Sequence, residues 1–190
     1  GLREKWPPGS YSRKAFDFAP VDLPKEQTHD WRAAGYFAGQ LAQEQDAPFF
    51  FACGIFRPHL PWYAPREFFE MHPLAEIALP PGAREDDLND LPPSALLRAN
   101  STDHAVIAGN GKWKEAIQGY LASISFADAC LGHLLDALDA SAFRDNTIVV
   151  IWGDHGWHLG EKKAWQKPRP WRRCTKVPLL IRVPGVTPPG

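Results

Sequence analysis

The segment Gly153-Asp154-His155-Gly156 sets a carboxylate and an imidazole side by side, directly after an apolar run. Adjacent oxygen and nitrogen donors suit a divalent cation, although two ligands do not complete a coordination sphere. His158 lies three residues further on, and its participation would turn the same cluster toward zinc. A second stretch able to do chemistry is F-R-P-H-L-P-W, which carries Arg57 and His59 in a frame of two prolines. Lys167, between Gln166 and Pro168, could direct an ammonium at an anion. Asp-His-Gly alone is a weak signal, since Asp and Gly also build tight turns. Its place at the end of a predicted buried strand strengthens it.

These groups act together only if the backbone delivers them to one place. The run T-I-V-V-I-W over 147–152 is apolar on both faces and β-branched, which predicts a buried strand. Residues 49–53, F-F-F-A-C, form a second such run, and 177–183 a third. Apolar residues at three- and four-residue steps predict a helix over 113–138, with Asn110 as its cap. Asp128 falls on that stripe, where a hydrogen-bonded structural carboxylate is expected, and Gly132 marks a close helix approach. A shorter helix is predicted from Trp31, Ala34, Ala38 and Leu41, capped by Thr28 or Asp30. Helices alternating with apolar strands indicate a parallel α/β sheet, whose ligands sit beyond the carboxyl ends of the strands. Arg57 with His59, and Asp154 with His155, fall at that edge.

The remaining chain is plainer. Residues 1–27 read as an extended surface segment, and 72–105 as a long Pro-rich connection holding Glu85, Asp86 and Asp87. Lys162 and Lys163 read as a solvated charged loop. Across 190 residues, 21 Lys+Arg meet 22 Asp+Glu with no basic run, which argues against a nucleic-acid binder. No continuous apolar stretch reaches the roughly 18 residues that a membrane span needs. Cys53, Cys130 and Cys174 lie far apart, so they make neither a metal knuckle nor a disulfide framework. Three strands leave bare sheet edges, so the chain is expected to be part of something longer.

The residues quoted above resemble one family. P-F-F-F-A-C-G-I-F-R-P-H-L-P-W over 48–62 is similar to the strand and loop of sulfatases of the iduronate-2-sulfatase and choline-sulfatase kind. N-T-I-V-V-I-W-G-D-H-G-W-H-L-G-E-K, followed by W-Q-K and V-P-L-L-I-R-V-P-G, resembles their second metal-binding segment. The resemblance covers residues 28–186 and implies part of an alkaline-phosphatase-like three-layer α/β/α domain with a mostly parallel sheet. It implies one incomplete catalytic domain over 1–190, with the α/β core portion at 28–190. The implied activity is hydrolysis of a sulfate monoester of a small molecule or carbohydrate. Asp154 and His155 would ligate Ca2+, and His59 and Lys167 would contact the sulfate or the leaving oxygen. By the same analogy the protein would be exported, periplasmic or lysosomal.

Two family features are absent. The nucleophile, a formylglycine made from Cys in C-x-[PA]-S-R, has no counterpart here and is expected in a preceding segment. The family's D-D metal pair is missing too. Cys53 and Arg57 are four apart but lack the Pro-Ser core, and a thiol buried in a strand is inert. Asp86-Asp87 follows no strand and does not replace the pair. These residues alone are therefore expected to bind calcium weakly and to be inactive. A phosphate or phosphonate ester hydrolase of the same superfamily, or a non-catalytic α/β module, would use the same lettering.

Overall fold

The longest proline-free apolar periodicity becomes the longest element. The computed structural model describes residues 2–84, 86–99 and 101–187. In chain order its helices and strands are α1 (Tyr11–Ala15), β1 (Phe18–Val21), α2 (His29–Leu41), β2 (Trp62–Pro65) and α3 (Arg66–Glu70). There follow α4 (Pro93–Leu96), α5 (Thr102–Gly109), α6 (Trp113–Asp139), β3 (Val149–Trp152), β4 (His158–Leu159), β5 (Trp165–Gln166), α7 (Arg172–Thr175) and β6 (Leu179–Arg182). The α/β class is as the sequence implies.

Helix α6 organises the core. Its buried line, Ala116, Ile117, Gly119, Ala122, Ser123, Phe126 and Cys130, packs against α2, α3 and the β1–β2 pair. At Gly119 a Cβ would stand 2.7 Å from the Cβ of Phe18, so this is where helix and ribbon touch most closely. Gly132, which the sequence marks for that role, meets nothing within 4 Å. Asp128 is exposed rather than buried and bonded, because the face holding it and Ile124 turns outward from the line through Ala122 and Phe126. By length and composition alone α6 could cross a membrane, yet its buried line is the centre of this core.

The strands depart from expectation in an instructive way. β1 and β2 pair in parallel, Phe18 opposite Trp62. Neither was apparent from periodicity, since Pro20 and Pro65 interrupt both. β3 and β6 form where apolar runs predict them, but they pair antiparallel, Val149 opposite Arg182. Their apolar side chains at Val150, Trp152, Leu179, Leu180 and Ile181 are exposed. Residues 49–53 are extended but have no ladder partner among the described residues. Phe49 stacks on Phe51 at 4.4 Å and meets Phe143 at 5.1 Å, while Phe50 points away, 91% exposed.

Residues 1–27 are not an extended surface segment. The described residues 2–27 form three short helical turns and β1, and they bury Trp6 and Phe16, whose rings stack at 5.3 Å beside Trp62 and Trp165. Aromatic anchors outweigh the polar composition there. Two capping expectations also change. Asn110 closes α5, its Nδ2 donating to the Val106 carbonyl at 2.7 Å, and Lys112 stands at the start of α6. Thr28 precedes α2, but its hydroxyl donates back to Lys25 at 2.5 Å. Within 72–105 the chain turns through α4 into α5, and Glu85 lies outside the described residues.

Candidate active site

The loop carrying His59 is built from its own polar groups. Asp30, in the first turn of α2 and 4% exposed, accepts from the amides of Phe56 at 3.2 Å and Arg57 at 2.9 Å. The Arg57 side chain donates to the carbonyls of Tyr63 at 3.0 Å and His59 at 3.4 Å, and its burial lowers its pKa. The Trp62 indole donates to Pro58 at 2.9 Å. Both the Arg57–Pro58 and Leu60–Pro61 peptide bonds are cis. His59 Nδ1 lies 2.8 Å from the Leu60 carbonyl. A carbonyl only accepts, so Nδ1 carries the proton and Nε2 is the basic nitrogen.

The second loop follows β3. Asp154 Oδ1 accepts from the His155 amide at 3.0 Å, and His155 Nδ1 lies 2.8 Å from the Gly156 carbonyl. The same argument leaves His155 Nε2 basic, 3.5 Å from Asp154 Oδ2. Gly156 is required by space: a Cβ would sit 1.8 Å from the Arg173 carbonyl oxygen, and its amide donates to Cys174 at 2.8 Å.

Trp157 joins the two loops. Its ring lies 6.0 Å from His59 and 6.0 Å from His155, and it packs on Trp62 and Tyr120. Burial pushes the Tyr120 hydroxyl up to about 12. His59 and the Asp154–His155 pair therefore meet around one indole.

Lys167 stays apart. It is exposed, with no hydrogen bond, ion pair or ring contact to His59, Asp154 or His155 among the described residues. The residue before it is firmly held: Gln166, at φ 70°, donates to Asp103 at 2.7 Å and to Ser12 at 3.2 Å. Asp103 also accepts from the Trp6 indole at 2.9 Å.

His158 does not join His155. It lies in the core, 1% exposed, with Nδ1 3.2 Å from the Glu161 carbonyl, and burial lowers its pKa. Among the described residues no three His, Cys, Asp or Glu side chains converge on a site that could hold a metal ion. Calcium takes six to eight oxygens. Asp154 and His155 supply one carboxylate and one imidazole, so these residues do not form a calcium cage by themselves.

The three cysteines are free, but Cys53 is half-buried and outside any strand rather than buried in one; burial still raises its thiol, with the Asp30 carboxylate adding to it, and Cys130 is pushed up to about 12 by burial. Lys162 is a correction. It is not solvated but clamped, its ammonium 3.0 Å from Asp87 and 2.9 Å from Asp90. Sequence reasoning missed Asp30, Asp103 and Trp157 as organisers. The only local trace of them is the aromatic of G-D-H-G-W and an Asp in a first helical turn.

The arrangement of helices and strands is one shared with solved phosphonate monoester hydrolases and sulfatases. The phosphonate monoester hydrolase of Silicibacter pomeroyi superposes with a TM-score of 0.73 at 21% identity, covering 98% of this chain and 41% of that one. The sulfatase family model matches residues 5–190, and the chain belongs to the sulfatase family. A sulfatase of Formosa agariphila is 39% identical over 183 residues, 94% of this chain and 36% of that protein. The iduronate 2-sulfatase of Mus musculus is 37% identical over 155 residues, 75% of this chain and 28% of that protein. The chain thus spans about a third of the length of the curated relatives it matches.

Proposed function

We propose that this chain supplies part of the site of a sulfatase that cleaves a sulfate monoester of a carbohydrate. In the reaction the bond between sulfur and the ester oxygen breaks. The sulfuryl group would pass to a nucleophile outside these residues, by family analogy a formylglycine. The leaving oxygen takes a proton from His59 Nε2, and water finally releases sulfate.

The observation that supports this reading is the meeting of His59 and His155 at Trp157, each with Nε2 left basic. A basic nitrogen held by its partner Nδ1 bond is what a proton donor needs once it is protonated. Asp154 and His155 would contribute two donors to a calcium ion, with the rest of its oxygens coming from elsewhere. The cation would offset charge on the sulfuryl oxygens. Lys167, by the family resemblance, would offer its ammonium to the same anion. Sulfate is favoured over phosphonate because the 39% and 37% identities are to sulfatases, against 21% to the phosphonate hydrolase. The carbohydrate assignment leans on the sugar named in the iduronate 2-sulfatase relative.

The test is made on the full-length protein. His59→Gln should lower kcat on a sugar sulfate by about 100-fold or more. Calcium should raise the thermal midpoint of the wild type, and less so that of Asp154→Asn. Absence of sulfate release by the wild type would overturn the reading.

A further inference from the structure

Trp157 is 8% exposed, and its ring has neighbours in both loops. Its ring stands edge-on to His59 at 73° and tilted to His155 at 35°, both at 6.0 Å. Behind it lie Trp62 at 6.0 Å and Tyr120, stacked at 6.4 Å and 28°. Tyr120 belongs to α6 and Trp62 to β2, so the indole is backed by the rigid core. The loop of Trp157 has little freedom of its own, because Gly156 is pressed against the Arg173 carbonyl.

Trp157 Nε1 is buried and has no partner among the described residues. An unpaired buried N–H is a cost that phenylalanine would avoid. What the larger ring supplies is reach: it touches both imidazoles while resting on two core aromatics.

We infer that Trp157 is a positioning residue, which fixes the His59 ring relative to the Asp154–His155 loop so that its Nε2 faces the leaving oxygen. This rests on the sulfatase reading and on His59 as proton donor. Proton delivery matters most when the leaving oxygen is strongly basic, as in an alkyl or sugar sulfate. It matters least for 4-nitrophenyl sulfate, whose leaving group departs as a stable phenolate. A residue that only holds the fold together would affect both substrates alike.

The experiment compares Trp157→Phe with wild type, in the full-length protein, on a sugar sulfate and on 4-nitrophenyl sulfate. The expected result is a fall in kcat of about tenfold or more on the sugar ester, but under about threefold on the nitrophenyl ester. KM should stay within about twofold on both. In a His59→Gln background the same substitution should have no further effect, since two changes acting through one group do not add. If Trp157→Phe fails to melt cooperatively, Trp157→Tyr is judged by the same comparison. Equal losses on both esters, or an undiminished loss in the His59→Gln background, would overturn the positioning role while leaving the sulfatase reading standing. A wild type inert toward both esters would overturn both.

Discussion

Replacing Asp30 by Asn isolates what one buried carboxylate does for the loop that carries His59. Its two oxygens accept from the Phe56 amide at 3.2 Å and the Arg57 amide at 2.9 Å. Asparagine has the same shape, but one oxygen becomes an NH2, so one bond is lost and two donors face each other. A hydrogen bond to a charged acceptor contributes about 1.5–3 kcal/mol, and the surviving bond also loses its charge assistance. Local opening at residues 56–57 should therefore become easier by about 2–3 kcal/mol. At 1.36 kcal/mol per factor of ten, that is roughly 30- to 150-fold in the open population. The Arg57 bonds to Tyr63 and His59 do not involve Asp30, so the effect should stay local. Amide hydrogen exchange at Phe56 and Arg57 reads it directly, with amides inside α6 as the internal reference. Exchange at both amides within about threefold of wild type, with α6 unchanged, would refute the idea that Asp30 holds this loop.

Two further outcomes concern stability. Gly156→Ala forces a Cβ to within 1.8 Å of the Arg173 carbonyl oxygen and threatens the 2.8 Å bond to Cys174, so the loop must shift. A cost of about 3–4 kcal/mol is expected, seen as a lower thermal midpoint and altered Trp157 fluorescence; an unchanged melt would show that the loop is looser than the geometry implies. His104 and His158 both have pKa values lowered from 6.5, chiefly by burial, and His104 Nδ1 accepts from the Trp165 indole at 3.3 Å. Above pH 6.5 neither folded nor unfolded chain protonates them, so their contribution is complete. Below it the unfolded chain takes up protons first, and stability should fall as the pH drops through the lowered folded values. Thermal midpoints measured from pH 8 to pH 5 should decline in that window, and His104→Gln should flatten the decline. A flat profile would refute it.

Legibility followed the range of the interaction. Helices α2 and α6 declared themselves because their signal is local: apolar residues three and four apart, with no proline within. β3 and β6 were legible as apolar, β-branched runs, but their antiparallel pairing was not, since nothing in either run encodes its partner's direction. β1 and β2 were invisible to periodicity because each is only four residues long and contains proline. The 1–27 segment misled for a related reason. Its average composition is polar, yet Leu2, Trp6 and Phe16 bury their apolar surface in the core and anchor it.

The candidate site divides in the same way. R-P-H and D-H-G name their own chemistry, because a donor type and a tight turn are properties of a few adjacent residues. Asp30 meets its partners 26 and 27 positions away, and Asp103 meets Gln166 63 positions away. Sequence alone thus determined the family and the long helix, and it singled out His59, Asp154 and His155 as the candidate site residues. The tertiary structure alone decided that these groups share one indole, that His158 is buried away from them and that Lys162 is clamped. The physical reason is that side-chain chemistry and helical period are local, whereas which carboxylate receives which amide is settled only when distant segments pack.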